Sequence, residues 1–574
     1  MRPPDPLTDS VARVIERARA WRDHDPDPAT RAALTALVDA AEAGDPGARA
    51  DLESRFRGPL TFGTAGLRGE VGAGETRMNV AVVTRATAGL AAYLLDTIGP
   101  DARIVVGGDA RHGSARFVAA TAEVLAAQGL TVMTLPERLP TPVTAYATRA
   151  LDCDAGVMIT ASHNPPADNG YKVYLGGRAT DEPGRGVQIV PPADAEIAAR
   201  IAKAAPADEI PRDPGRVIRL DHEVVDAYVT RTASLRSETA RSRVRVVLTP
   251  MHGVGGATAL SVLSAAGIDD VHTVAAQFDP DPDFPTLAFP NPEEPGALDR
   301  AFVHAREVAA HVVIAVDPDA DRCSVAIPDR SGRWRQLTGD EIGWLLGDQA
   351  ARDHSRAGDT LACSIVSSRL LGKIAADHGL RFAATLTGFK WIARAPGLRY
   401  GYEEAIGYCT DPEAVRDKDG ISAMVRVVTL VEELAREGRT LIDALDDLAR
   451  RYGLHATTPL TIRVDDTAEI GQIMQRLRET TIETLGGSPV VEVADLAHGS
   501  DALPPTDALV LRTAADDRVI VRPSGTEPKL KCYLEVILEV PDPEHPDPER
   551  AVPHDKAAER LAAITAELSG LLHV

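Results

Sequence analysis

Short apolar runs rich in Val and Ile, each ending in a loop of Gly, Asp, His or Ser, recur along the 574-residue chain. The clearest are "RIVVGGDARHGS", "AGVMITASHNP", "RVRVVLTPMHGVGG" and "HVVIAVDPDADR". Helical stretches such as "ARFVAATAEVLAAQG" lie between them, so the alternation predicts βα units and an α/β class. In such sheets ligands gather beyond the carboxyl ends of the strands, which makes the polar loops candidate sites. Residues 1–57, for example "SVARVIERARAWRD", read as a helical N-terminal extension. Composition turns polar, Gly-rich or Pro-rich at 205–215, 328–336 and 451–459, which divides the rest into four domains, 58–212, 213–333, 334–455 and 456–574. The last differs in texture. "RVIVRPSGTEPKLKCYLEVILEV" predicts two strands around a loop and "DKAAERLAAITAELSGLL" a helix, hence an α+β domain.

A 44% hydrophobic and 25% charged composition is that of a folded globular protein. The formal net charge of -22 argues against a nucleic-acid or anionic-membrane partner, because either needs a basic surface. An anionic substrate must therefore meet a local basic cluster. Five cysteines without a CxxC pair suggest neither a zinc ribbon nor a disulfide framework, and fit a reducing cytoplasm. "MRPPDPLTDS" has no apolar signal core, and no run of about 18 apolar residues appears, so neither export nor membrane insertion is expected.

"VDPDADRCS" places Asp317, Asp319 and Asp321 at alternate positions, which in extended backbone sends three carboxylates to one side. Their repulsion raises at least one pKa unless a cation sits among them, and oxygen-only ligands suit magnesium. An EF-hand is excluded, since Arg322 and Pro328 stand where its glycine and glutamate belong. A bare DxDxD is as often a solvated turn; the apolar strand before it and Arg322 after it favour a metal, with Arg322 holding a phosphate oxygen. "RPSGTEPKLK" gathers Arg522, Ser524, Gly525, Thr526 and Lys529 in a loop suited to anchoring a phosphate. No GxxxxGK[ST] motif is present. "GTAGLRG" adds Thr64 and Arg68, and "PMHGVGG" adds His252 at a helix start, a stretch that reads equally well as a tight turn.

"MITASHNPPADNGYKVY" crowds polar groups at a strand end, which is costly unless something binds there. Ser162 and His163 resemble a hydrolase pair, but neighbours on a strand point to opposite faces, and no GxSxG elbow is present. A serine that carries phosphate near magnesium explains more, with Lys172 as proton acceptor and His163 and Asn164 on phosphate oxygens.

"TASHNP", "NGYK", "DPDADR", "GYEEAIG", "RDKDG" and "RPSGTEPK", in this order over roughly residues 58–535, resemble the α-D-phosphohexomutases. The resemblance implies four domains around a central cleft, three of them related α/β domains with mixed sheets and the last α+β. It also implies a phosphoserine at Ser162 and magnesium held by Asp317, Asp319, Asp321 and the serine phosphate. Arg68, His163 and Lys172 then surround the transferred phosphate, Lys172 as general base, and Lys418 is a catalytic lysine near the sugar phosphate. Glu403 grips sugar hydroxyls, Lys390, Thr64, His252 and Arg322 join the substrate site, and Arg522, Ser524, Gly525 and Thr526 bind the phosphate that stays. The implied reaction interconverts hexose 1- and 6-phosphates through a sugar 1,6-bisphosphate, which also primes the serine. The partners are small sugar phosphates. Pro318 and Ala320 replace two glycines of the family's commoner metal loop, and Ala405 replaces a serine in its sugar loop. Ala405 and the long N-terminal extension are similar to the branch containing phosphopentomutase and glucose 1,6-bisphosphate synthase. A catalytically silent sugar-phosphate binder is the reading from another class, but Ser162, Lys172 and the aspartate triad are all present.

Overall fold

Asp27-Pro28 and Asp45-Pro46 each start a helix, the aspartate capping a free amide and the proline occupying the first turn, where its missing N–H costs nothing. These caps set α2 (Pro28–Glu42) and α3 (Pro46–Arg55) after α1 (Pro6–Asp23). Leu34, Val38, Leu52 and Phe56 form the small core of this extension, with Trp21 edge-on to Phe56. The computed structural model describes residues 6–237, 244–353, 356–464, 467–501, 503–524, 529–540 and 552–572.

The chain forms two compact units, Met1–Gln336 with Gly407–Thr429, and Leu337–Ile406 with Leu430–Val574. In the first unit, β1 (Leu67–Glu70), β2 (Arg103–Gly108), β3 (Thr131–Thr134), β4 (Ala155–Ile159), β5 (Asp168–Leu175), β6 (Val187–Gln188) and β7 (Ile218–Arg219) build a mixed sheet. Its order is β1-β5-β4-β2-β3-β7, with β6 beside β5. β4, β2, β3 and β7 run parallel, while β5 is antiparallel to both β4 and β1. The helices α4 (Val80–Thr97), α5 (Ser114–Ala127) and α6 (Thr141–Ala150) alternate with these strands. A second mixed sheet, β12-β11-β10-β8-β9, joins β8 (Val246–Thr249), β9 (Val271–Thr273), β10 (Val312–Val316), β11 (Cys323–Pro328) and β12 (Trp334–Gln336). β2, β4, β8 and β10 are almost wholly buried, which is why they read as unbroken apolar runs instead of alternating ones.

In the second unit, β13 (Thr360–Ser364) lies parallel to both β14 (Arg381–Thr385) and β15 (Leu398–Glu403). β16 (Gly407–Cys409) belongs to the first unit. The C-terminal sheet runs β17-β22-β21-β20-β19-β18, antiparallel throughout, from β17 (Leu454–Arg463), β18 (Thr484–Leu485), β19 (Ser488–Asp495), β20 (Leu509–Thr513), β21 (Arg518–Pro523) and β22 (Lys529–Leu538). Helices Thr467–Glu479 and His554–Leu572 pack against it, completing an α+β fold. All five cysteines are buried and free. No helix among the described residues is long and apolar enough to cross a membrane.

Asp340 is buried in the first turn of helix Gly339–Arg352, where its Oδ1 accepts from Ser368 N and Tyr402 Oη, both at 2.8 Å. Burial outweighs these bonds and raises its pKa from 3.8 to about 6. A carboxyl whose folded pKa is raised contributes no penalty below its unfolded value and its full penalty above the folded one. Asp340→Asn keeps the acceptor and removes the charge. Its stability relative to the parent should therefore climb by about 2 kcal/mol between pH 4 and pH 7, measured by urea unfolding at both values.

Candidate active site

The apolar run Val312–Val316 ends in a turn, and that turn carries the aspartate triad. The expected extended backbone is not what aligns the carboxylates. Ala320 N bonds back to Asp317 O, and Ala320 adopts φ 56°, so the chain curls and brings the three side chains round to a common point. One carboxylate oxygen from each of Asp317, Asp319 and Asp321 lies within 4.8 Å of the others, and all three residues are buried. Ala320 takes a conformation that glycine adopts more easily, at a cost of about 1 kcal/mol. Pro318 packs so closely on Gly253 that a Cβ there would stand 2.3 Å from Pro318 Cα.

Ser162 lies beyond the end of β4, on a turn, with φ 51°. Its Oγ donates to Asp317 Oδ2 at 2.7 Å, and its N–H donates to Thr160 Oγ1 at 2.9 Å. Because Ser162 is not on a strand, the expectation that it and His163 point apart does not hold; Ser162 Oγ is 3.3 Å from His163 Nδ1. Lys172, on β5 opposite Met158 of β4, sends Nζ to Asp319 Oδ2 at 2.8 Å and Asp321 Oδ2 at 3.0 Å. Lys418 Nζ reaches the same Asp321 oxygen at 3.3 Å. The segment carrying Lys418 is tied to the loop, since Gly420 N bonds to Ala320 O and Arg322 bridges to Gly407.

These cations and donors divide the triad electrostatically. Burial and the charges of Asp319 and Asp321 push Asp317 well above the usual carboxylate range. Burial works the same way on Asp319, but Lys172 and the hydroxyl of Thr141, 2.7 Å from its Oδ2, outweigh it and hold the pKa down. Asp321 is likewise lowered, by Lys172 and Lys418 against burial and its neighbour Asp319. Burial also opposes the charge on Lys172, but Asp319 and Asp321 raise its pKa overall. Asp319 Oδ1 and Asp321 Oδ1 are buried without a hydrogen-bond donor. Two such oxygens beside a third carboxylate fit a hard divalent cation.

The other first-unit residues singled out in the sequence lie near these strands. Arg68, on β1 opposite Gly170 of β5, donates to Asn164 Oδ1 at 3.0 Å. Asn164 Nδ2 donates in turn to Asp168. Thr64 lies in the tight turn closed by the reciprocal backbone bonds of Gly63 and Gly66. Gly66 has φ 75°, and a Cβ there would meet Tyr171 O at 1.8 Å, so the turn lies directly on the strand that carries Lys172. Arg322 N donates to Asp317 Oδ1 at 3.0 Å, and its guanidinium lies between Asp321 and Glu293. His252 is 2.9 Å from Thr286 Oγ1 and lines a small cavity with Asp109, Arg111 and Pro318. The amides of His252, Gly253 and Val254 all bond to protein carbonyls, so this helix start does not offer them to an anion.

The second unit holds the rest. Glu403 ends β15, and its neighbour Glu404 is pinned by Ser364 Oγ and Ser367 Oγ at 3.0 and 2.9 Å. Lys390 lies in the short helix Phe389–Ile392 after Gly388, whose φ is 105°. Arg522 is on β21, and Ser524 N bonds to Lys529 O across the loop mouth. Gly525 and Thr526 lie outside the described residues. Tyr533, its phenol pushed up by burial and by Glu404, also interacts with Arg522 and Glu403, so the predicted sugar and phosphate elements share a neighbour. Thr141, Asp109 and Arg111 carry no chemical motif of their own in the sequence, although the loop "GGDARHGS" contains two of them.

Four family models match the chain in order: phosphoglucomutase/phosphomannomutase alpha/beta/alpha domains I, II and III over residues 59–208, 226–332 and 338–452, and the C-terminal domain over 464–537. A probable phosphomannomutase of Haemophilus influenzae is 46% identical over 80% of this chain and 93% of its own. A phosphopentomutase of Mus musculus is 34% identical over 93% of this chain and 92% of its own. The fold is similar to a putative phosphomannomutase structure from Thermus thermophilus, with TM-score 0.66, 23% identity, and coverage of 88% of this chain and 99% of that one. With all four domains present, three α/β with mixed sheets and one α+β, the chain is an intramolecular phosphotransferase that belongs to the phosphoglucomutase/phosphomannomutase family.

Proposed function

We propose that this enzyme interconverts the 1- and 6-phosphates of a hexose, glucose or mannose, through a phosphorylated Ser162 and a sugar 1,6-bisphosphate. The observation that carries the reading is Ser162 Oγ, 2.7 Å from Asp317 and beside a buried triad already served by two lysines. Such a hydroxyl is placed to carry a phosphoryl group among cations. Asp317, Asp319, Asp321 and the serine phosphate would hold magnesium, which supplies charge neutralisation for the transferred group and loosens the carboxylates' hold on Lys172.

The protein's own groups then have distinct tasks. Ser162 gives its phosphoryl group to a free sugar hydroxyl, and the bisphosphate turns round before Ser162 recovers the group from the other position. Arg68, His163, Lys418 and Arg322 neutralise phosphoryl oxygens, an electrostatic contribution that grows in a dry site. Pairing with Asp319 and Asp321 favours the charged form of Lys172, so it accepts the hydroxyl's proton only as the neutral amine, once those carboxylates are otherwise engaged and its own proton has passed to water. Glu403 and Lys390 orient the sugar, and Arg522 with the Ser524 loop binds the second phosphate. A sugar bisphosphate primes the serine, and the enzyme works in the cytoplasm.

A pentose is the second reading. Ala405 offers no hydroxyl to the sugar, and the relative of Mus musculus, matched over 93% of this chain, is named a phosphopentomutase. Phosphorus NMR separates the two when the enzyme, with magnesium and catalytic bisphosphate, is offered glucose, mannose, ribose and deoxyribose 1-phosphates. Faster conversion of a hexose is expected; turnover of pentoses alone overturns the hexose reading. Ser162→Ala should lower the rate by about 10^4-fold or more.

Magnesium at 100 times its dissociation constant should stabilise the protein by about 2.7 kcal/mol, read from the thermal midpoint. Asp319→Asn should lose most of that gain, and an unchanged magnesium response in this variant would place the ion elsewhere.

A further inference from the structure

Arg111 lies in the turn after β2, 4% exposed, and its guanidinium is given over to one loop. Nη2 donates to Ser162 O and Asn164 O, both at 2.6 Å; Nη1 donates to Pro165 O at 2.7 Å and Asp168 O at 3.1 Å. Four carbonyl oxygens therefore converge on one planar cation. Buried carbonyls turned toward each other need a donor apiece, and a guanidinium offers several in a fixed fork where an ammonium offers three from one atom.

The clamp is itself held. Asp109 Oδ1 accepts from Arg111 N at 3.0 Å and from Ser114 Oγ at 2.6 Å, and its other oxygen stands 3.6 Å from Arg111 Nε. The Phe284 ring covers the guanidinium carbon at 5.0 Å. Ser162 keeps φ 51°, a left-handed conformation that serine disfavours, with its N–H fixed by Thr160 and its C=O by Arg111. That backbone directs Oγ at Asp317.

We propose that Arg111 is a positioning residue for phosphoryl transfer, acting through the backbone of residues 162–168 to hold Ser162 Oγ at Asp317. All four of these guanidinium bonds go to the loop's carbonyls. The inference rests on the reading of Ser162 as the phosphoryl carrier. Displacing a nucleophile by about an ångström costs on the order of 100-fold in rate. Arg111 acts on the loop that carries Ser162, so the loss is expected on kcat more than on KM.

The test uses the full chain. Wild type is turned over with glucose 1,6-bisphosphate and mapped by mass spectrometry; no phosphate on Ser162 overturns the carrier reading and this proposal with it. With Ser162 loaded, Arg111→Lys should lose about 100-fold in kcat while KM stays within about threefold. In Arg111→Ala, guanidinium at millimolar concentration should restore kcat by about tenfold, and sodium at equal ionic strength should not. If the alanine variant does not fold, the split between kcat and KM in the lysine variant decides alone. A lysine variant within about twofold of wild-type kcat overturns the proposal. So does a loss shared by kcat, KM and the folded fraction with no response to guanidinium, which marks Arg111 as merely structural.

Discussion

Three buried carboxylates on one five-residue turn repel each other, and the first unit is arranged to offset that repulsion. Thr141 reaches Asp319 from the start of α6, Ser162 reaches Asp317 from the end of β4, Lys172 comes from β5, and Lys418 from the segment after β16. Four parts of the chain, separated by up to 277 positions from Thr141 to Lys418, thereby meet at one point. Removing one partner would leave a buried charge uncompensated, which is costlier than the pair is favourable. The geometry is specified by what the acids require as well as by what a sugar phosphate would need.

Much of this was legible from the chain alone. The apolar runs mark strands because both faces of these strands are covered, and polar loops after such strands mark the site because backbone ends there unpaired. The aspartate spacing signalled a cluster, but for a reason the fold does not use. Ala320 turns the chain left-handed, and a positive φ at alanine has no sequence signature. The relation of Ser162 to His163 was misjudged on the same ground, since a turn replaces the strand assumed there. Arg111 stood in a quoted motif without a role, because its partners are main-chain carbonyls, and a carbonyl looks alike at every position.

The loop proposed to hold the sugar is ordered by a different logic. Glu404 is tied to two serines, and Gly339 lies so near that an added Cβ would meet Glu404 O at 1.8 Å. The backbone around Glu403 and Ala405 is thus fixed while the residue at 405 is small. If this loop holds the sugar as proposed, a rigid backbone without a hydroxyl at 405 selects by shape more than by direct hydrogen bonds, a weaker basis for choosing among sugars that differ at one carbon.

Besides the pairs Asp27–Arg116 and His24–Asp208, the N-terminal helices are joined to the rest through the segment between β1 and α4. Arg55 donates to Ala73 O, Thr76 N and Oγ1 bond to Arg55 O and Ser54 O, and Arg77 reaches Ser54. Asn79 then gathers the carbonyls of Gly72, Gly74 and Arg77 while capping α4. The strand bearing Arg68 is thus anchored at its far end by residues that precede the four-domain fold. For a lineage descending from this protein, the first fifty-odd positions are inherited together with that strand. Their loss would leave Thr76 and Arg77 without the acceptors they use and Ala73 O without Arg55, so drift in the helices is constrained by the segment that follows β1.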